Sequence, residues 1–224
     1  MIAPRSPLAV EDMRSLLFSA LLSDTLDAMG HMHQALPPCI RPLDDSSILV
    51  GRARTALCMD VYHPPEAGEN PYELEIQLID SLEKDQIPVF SCGRSGRIAP
   101  WGELLSTASQ VRGAAGALMD GLVRDIKAIR EMGFPVFHGG IGPLDSKGRA
   151  KVVELDSPVE VASVLVRSGD LVFGDADGVV IVPQSIETEV MARALQKLKG
   201  ERSTLADLRA GMSLGVVFEK YGIL

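Results

Sequence analysis

The sequence predicts a layered α/β sandwich, and three observations carry that prediction. Leucines at four-residue spacing mark a helix over Glu73–Glu83. From there to Phe137, short apolar runs alternate with helical stretches. A strand-rich stretch over residues 151–182 then precedes a helical end. The 224 residues are 46% hydrophobic, enough for one sizeable core. We expect one unit over residues 1–224, with a C-terminal helical extension over about 185–224.

Two helices open the chain, about Val10–Ala20 and Ser23–Met29, with Ser23 as N-cap and Gly30 as the stop. After the proline-bearing stretch Ala35–Pro42, the apolar runs Ile48–Ala53 and Ala56–Val61 read as a strand pair. Tyr62–Tyr72 holds three prolines, Gly68 and Asn70, so it is a loop long enough to serve as a lid or to flank a substrate. In Glu73–Glu83, Leu74, Leu78 and Leu82 form the apolar face and Ile79 widens it. Pro88–Ser91 reads as a strand and Cys92–Trp101 as a loop rich in Gly and Arg. Helices at Glu103–Arg112 and Asp125–Met132 then alternate with strands at Gly116–Met119 and Pro135–Phe137. Four strands follow, at Lys151–Glu154, Val159–Val166, Leu171–Gly174 and Val179–Val182. Asp175-Ala-Asp-Gly178 turns the last two into a hairpin. Helices over Ser185–Lys199 and Ser203–Arg209 come last, and Gly211 breaks into a final short one.

Net charge is −8 and the 22 basic residues are scattered, which argues against a nucleic-acid footprint. Cys39, Cys58 and Cys92 include no C-x-x-C pair, so we expect buried free thiols in a reducing cytoplasm. No apolar run approaches the ~20 residues of a membrane helix, and no apolar leader opens the chain. No G-x-G-x-x-G follows a strand, so no nucleotide or other organic cofactor is expected. His31-Met-His33 is too slight to be a metal site, and Gly93–Gly96 lacks the Lys-Ser/Thr of a phosphate loop.

The chemistry concentrates in Trp101-Gly-Glu-Leu-Leu and Asp120-Gly-Leu-Val-Arg124-Asp125. A helix of about ten residues after Glu103 carries the chain ~15 Å out. A turn at Gly113–Ala115 and a short strand return it by ~15 Å. Glu103, Arg124 and Asp125 therefore reach one sheet edge, the place where open α/β sheets bind ligands. There the first N–H groups of the helix at Glu103, Leu104 and Leu105 face outward for a carboxylate. Arg124 offers a planar fork for a carboxylate or enolate, and Asp125 offers a hard oxygen for Mg²⁺. Read alone, the same residues also fit an ordinary helix start and a surface ion pair.

On these residues, with Gly113-Ala-Ala-Gly-Ala-Leu-Met, Gly133-Phe-Pro-Val-Phe and Ser168-Gly-Asp-Leu-Val-Phe-Gly-Asp-Ala-Asp-Gly, the chain resembles the 4-hydroxy-4-methyl-2-oxoglutarate aldolase family. That family shares its fold with the regulator of ribonuclease E activity A, and the likeness spans about Ser23 to Gly215. The resemblance implies a β/β/α sandwich of swivelling-domain type with terminal helices, assembled as trimers or hexamers. It implies a lyase that releases pyruvate from 4-hydroxy-2-oxo acids with Mg²⁺ or Mn²⁺, and that decarboxylates oxaloacetate on the side. Gly102, Glu103, Leu104, Leu105 and Arg124 would then bind substrate, and Asp125 would hold the metal. Glu103, Arg124 and a neighbouring subunit's residue matching Glu201 would be the catalytic set. The alternative implied by the same fold is a non-catalytic, protein-binding regulator of ribonuclease E. The loop residues Arg94 and Arg97 are candidates for a carboxylate at the substrate's far end.

Overall fold

The computed structural model describes residues 8–222, and the other residues of the expected 1–224 unit lie outside it. The first half runs α1 (Val10–Leu16), α2 (Ser19–Ala28), β1 (Arg41–Pro42), β2 (Leu49–Asp60), α3 (Glu73–Asp80), β3 (Gln86–Ser91) and α4 (Glu103–Val111). Next come β4 (Ala117–Met119), β5 (Leu122–Val123), α5 (Ile126–Met132), β6 (Val136–His138), β7 (Gly140–Ile141) and β8 (Ala150–Leu155). The chain ends with β9 (Val159–Val161), β10 (Val164–Val166), β11 (Leu171–Asp175), β12 (Gly178–Val182), α6 (Glu187–Arg209) and α7 (Leu214–Tyr221).

The main sheet has the order β1-β6-β4-β3-β2-β11-β12, and β8 also pairs with β2. Strands β2, β3, β4 and β6 are parallel, and β1, β8, β11 and β12 join antiparallel. Residues 34–36 pair with β12 through Leu36 N–H to Val179 O and Ile181 N–H to Gln34 O, both 2.8 Å. The chain then passes to β1 at the opposite edge, so the sheet curls into a nearly closed barrel. The result is the mixed α/β architecture that the sequence predicts.

Period-two alternation divides the core. Leu49, Ile87, Val89, Leu118, Phe137, Val172 and Ile181 point inward and pack on the β9–β10 hairpin. Phe90, Ala117, Met119 and Val136 point outward under Leu78 and Ile79 of α3 and Ile129 of α5. Leu171, Phe173, Val180 and Val182 face α1, α2 and α6.

Several elements differ from the sequence prediction, and the first helix, expected over Val10–Ala20, already stops at Leu16. The expected strand pair before Val61 is one strand, β2, which pairs with β11 through residues 49–52 and with β8 through 56–60. Switching partners along its length removes the need for a turn. Val159–Val166 is a hairpin instead of one strand, because Ala162 and Ser163 turn with φ of 47° and 77°. A two-residue turn with positive φ at both positions usually carries glycine, asparagine or aspartate, and neither residue is one of these, so the sequence shows no break there. The expected separation of the helices Ser185–Lys199 and Ser203–Arg209 is absent, and α6 runs through Gly200 without a break. A mid-helix glycine costs about 1 kcal/mol, less than is gained by burying Val190, Met191, Ala194 and Leu198 against α2. Helix α2 starts at Ser19 and not Ser23, because Asp175 accepts the Ser19 N–H at 2.8 Å and its hydroxyl at 2.6 Å. Cys58 and Cys92 are buried free thiols as expected, whereas Cys39 is exposed. No helix among the described residues is long and apolar enough to cross a membrane.

One ion pair ties α6 to the central strand. Arg52 of β2 grips Glu187 with both terminal nitrogens, Nη2 lying 2.7 Å from Oε1, and the Glu187 side chain is fully buried. Removing the carboxylate strands a mostly buried guanidinium. Glu187→Ala should therefore lower stability by about 3–5 kcal/mol in urea unfolding; a loss under 1 kcal/mol would mean that the pair does not anchor α6.

Candidate active site

The site is built outward from Trp101. Its indole is fully buried, stacked on Phe134 at 6.3 Å and edge-on to Phe90 at 5.7 Å. The indole N–H donates to Ser106 Oγ at 2.8 Å, and Ser106 donates to the Gly102 carbonyl at 2.9 Å. Trp101 also bridges Val123 in parallel, and the Arg124 N–H donates to the Trp101 carbonyl at 2.9 Å. These bonds fix Gly102 beside Arg124 and Asp125. The route matches the spacing argument: α4 leads away, Gly113 turns at φ +79°, and β4 and β5 lead back.

Asp125 adopts the left-handed conformation at φ 58°, which is uncommon for a residue with a side chain. It precedes α5 but caps a different helix: its Oδ2 accepts the Glu103 N–H of α4 at 3.2 Å. The carboxylate thereby meets the positive end of α4. A Cβ at position 102 would stand 2.5 Å from that oxygen and 3.1 Å from Arg124 Cγ, so only glycine allows the approach.

Arg124 lies between two carboxylates, with Nε 3.8 Å from Asp125 Oδ2 and Nη2 3.7 Å from Asp145 Oδ1. Both distances exceed hydrogen-bond reach, so the guanidinium donors stay available to a ligand. Tyr72 donates its hydroxyl to Asp145 Oδ2 at 2.8 Å. Burial pushes the Asp145 carboxyl up, but Tyr72 and Arg124 outweigh it and hold the group below the usual range. Tyr72 itself is pushed up to about 12, by burial first and then by Asp145. Glu75 of α3 is only 7% exposed. Burial, and then the charge of Asp145, push its carboxyl up to about 7, while Arg124 pulls the other way. A carboxyl that changes charge near neutral pH is a candidate proton carrier.

These groups line a cavity of about 320 Å³, walled on its apolar side by Ile76, Ala99, Pro100, Leu104 and Leu105. The cavity thus brings together Gly102, Leu104, Leu105, Arg124 and Asp125 from the expected set. Glu103 contributes its backbone to the Asp125 contact, and its side chain is not among the lining groups. Glu201 lies on α6, 3.8 Å from Lys197, and does not line this cavity within one chain. Arg94 and Arg97 do not line it either.

Among the described residues, no group of three or more His, Cys, Asp or Glu is arranged to hold a metal. Asp125 uses Oδ2 toward Glu103, and Oδ1 has no hydrogen-bond partner among the described residues. One hard oxygen beside a cavity of this size fits a Mg²⁺-like ion that keeps most of its waters, and does not fit a closed zinc site.

Sequence reasoning missed Tyr72, Glu75 and Asp145. Glu75 had a signal: it stands three, four and seven residues before Leu78, Ile79 and Leu82, on the buried stripe of α3. A charge on that stripe points inward, while Leu74 is only partly buried. Asp145 sits in an irregular segment with no periodic pattern to read.

Ionising Glu75 costs the folded state more than the unfolded chain, so its effect on stability is absent at low pH and grows as pH rises from about 4.5 to about 7. Glu75→Gln should consequently stabilise the fold by about 3 kcal/mol at pH 8 and by little at pH 4. Denaturant unfolding at the two pH values reads this, and a pH-independent difference would contradict the buried-carboxyl assignment.

Comparison with known proteins meets this geometry. The RraA-like family model, described as Aldolase/RraA, matches residues 19–181. A protein of Halalkalibacterium halodurans named putative 4-hydroxy-4-methyl-2-oxoglutarate aldolase is 31% identical over 176 residues, covering 79% of this chain and 77% of that protein. Protein DlpA of Legionella pneumophila is 28% identical over 203 residues, which are 91% of this chain but only 32% of DlpA's length. The solved structure of Streptomyces coelicolor RraAS2, described as an unusual member of the RNase ES inhibitor RraA protein family, aligns at a TM-score of 0.77 and 25% identity. That alignment covers 89% of this chain and 98% of RraAS2. The match takes in Glu75, Gly102, Arg124, Asp125 and Asp145 alike, and the chain belongs to the RraA-like, Aldolase/RraA family.

Proposed function

We propose that this chain is a divalent-metal-dependent lyase that cleaves 4-hydroxy-2-oxo acids by retro-aldol reaction and releases pyruvate. The observation that carries the reading is Arg124, held at a cavity beside the start of α4 with its donors unspent. The family and the aldolase name of the Halalkalibacterium relative support it. The RNase ES inhibitor family of the Streptomyces neighbour supports a regulatory reading instead, but a protein-binding surface gives no reason for a buried carboxyl beside an available guanidinium.

In this reading the substrate carboxylate meets the Leu104 and Leu105 N–H groups in the first turn of α4, which have no helical acceptor. Arg124 lies against the 2-oxo oxygen. The C4 hydroxyl loses its proton, the C3–C4 bond breaks, and C4 becomes a carbonyl. The bonding pair passes into the pyruvate enolate, whose negative charge Arg124 stabilises in a partly desolvated site. Protonation at C3 then gives pyruvate. Glu103, and Glu201 from a neighbouring copy, would steer the water that carries the proton. Asp125 would hold Mg²⁺ or Mn²⁺, which supplies Lewis-acid stabilisation of the developing oxyanion. Oxaloacetate would lose CO₂ through the same enolate. This reading expects a homotrimer or hexamer and no organic cofactor.

Pyruvate release is measured over a panel of 4-hydroxy-2-oxo acids and oxaloacetate, with Mg²⁺ and with excess chelator. Activity should vanish with chelator and return with Mg²⁺ or Mn²⁺. Arg124→Ala should lose about a hundredfold or more on every substrate, since it acts on the common enolate. Full activity in chelator would sink the metal role, and no pyruvate from any substrate would sink the lyase reading. If Glu201 serves a neighbour, Glu201→Gln should lower kcat in the assembled protein, and an active monomer in light scattering would contradict that role.

A further inference from the structure

We infer that Glu75 is the acid that protonates C3 of the pyruvate enolate. The inference rests on the lyase reading for its ligand and deepens it by naming the group that completes the reaction. That reading gives the C4 hydroxyl proton to a water and leaves the source of the C3 proton open.

The cavity narrows the choice to one side chain. Among the described residues lining it, those with a polar side chain are Tyr72, Glu75, Arg124, Asp125, Asp145 and Ser146. The Arg124 guanidinium and the Ser146 hydroxyl hold their protons too firmly to act as acids near neutral pH. Tyr72 spends its hydroxyl on Asp145 at 2.8 Å and is pushed up to about 12, by burial first. Despite burial, that bond and Arg124 hold Asp145 below the usual carboxylate range, so it has no proton to give. Asp125 is committed to the Glu103 N–H and, in the lyase reading, to the divalent ion. Glu75 remains. It is nine-tenths buried, and its carboxyl has no hydrogen-bond partner among the described residues. A buried carboxyl of this kind waits for a ligand to complete it. Burial and then Asp145 push it up to about 7, so a protonated fraction is present at neutral pH. It also senses Arg124, which places it at the end of the cavity where the 2-oxo group stands, one carbon from C3. Tyr72 and Cys92 are further titratable groups in its field. Positive charge on Asp125 would act on Glu75 in the same direction as Arg124, so the test is run with Mg²⁺ present.

The step balances. The enolate oxygen re-forms the C2 carbonyl, and the C2–C3 π pair takes the Glu75 proton as the third C–H bond of the methyl group. Glu75 is left as a carboxylate, and the water that accepted the C4 hydroxyl proton returns one to it. Run backwards, ionised Glu75 removes a methyl proton from pyruvate.

The reverse direction isolates the step. Exchange of the pyruvate methyl protons in D₂O is followed by NMR on the intact chain with Mg²⁺. Beside it, CO₂ release from oxaloacetate forms the same enolate without breaking a C–H bond. Glu75→Gln, which the stability argument expects to fold, should slow exchange by about a hundredfold. It should slow CO₂ release much less, because enolpyruvate can leave and take its proton from water. Calorimetry should find pyruvate binding within about threefold of the unaltered protein, and Glu75→Asp should restore part of the exchange. Equal losses of exchange and CO₂ release would mark a structural role and overturn the inference. Exchange that Glu75→Gln leaves unchanged overturns it too, as does an unaltered protein that catalyses no exchange. Pyruvate release from the 4-hydroxy-2-oxo acids is read separately. Cleavage with exchange that ignores Glu75 keeps the lyase reading and removes this role, whereas Glu75-dependent exchange without any cleavage does the reverse.

Discussion

The contact between the Asp125 carboxylate and the start of α4 sets the geometry of the whole site. It joins two segments with twenty residues between Glu103 and Arg124, and it needs several independent conditions at once. Asp125 must take a left-handed backbone, position 102 must lack a side chain, and Trp101 must be pinned beside Val123. Each condition is met by a different part of the core. Phe90 and Phe134 clamp the indole, Ser106 links it to Gly102, and the parallel β3–β4–β6 stretch of the sheet holds the strand ends level. Strain of this kind persists only where the surroundings over-determine it, and it is typical of functional sites.

From that contact the electrostatics follow. Fixing Asp125 places Arg124 between Asp125 and Asp145 without pairing it closely to either. The nearby negative charge of Asp145 then raises Glu75, which burial has already made reluctant to ionise. One cation thus serves a site with three carboxyl groups, and each group differs in its surroundings. Asp125 is tied to a helix end, Asp145 is hydrogen-bonded to Tyr72, and Glu75 is unpartnered. Different environments for like groups are how one site holds acids and bases of different strength at one pH.

Much of this was legible in the sequence, and the reasons are physical. Helix and strand rise per residue suffice to return Arg124 to the start of α4, so the pairing of those segments needs no tertiary information. Periodicity located α3 because it buries one face, with Leu78 and Ile79 in the core. What escaped depended on long-range partners or on unusual turn chemistry. Ser19 starts α2 because Asp175, 156 residues away, binds it. Ala162 and Ser163 turn with no glycine to announce it. Glu75 was readable as a charge on a buried stripe, but only Asp145 and the cavity give that charge a role. Asp145 itself lies in an irregular segment held by contacts from afar in sequence, the Tyr72 hydroxyl on its carboxylate and the Ala99 N–H on the Leu144 carbonyl.

The central claim is that the approach of Gly102 to Asp125 organises a catalytic cavity, and Gly102→Ala tests it most directly. An added methyl group would collide with Asp125 Oδ2 and Arg124 Cγ but with no hydrophobic core side chain. Pyruvate release from the substrate panel and the unfolding transition are measured together on this one variant. The account predicts a folded protein whose kcat/KM falls by about a hundredfold, since displacements of about 1 Å at a reacting centre have that effect. A folded Gly102→Ala protein with unchanged kcat/KM would contradict it.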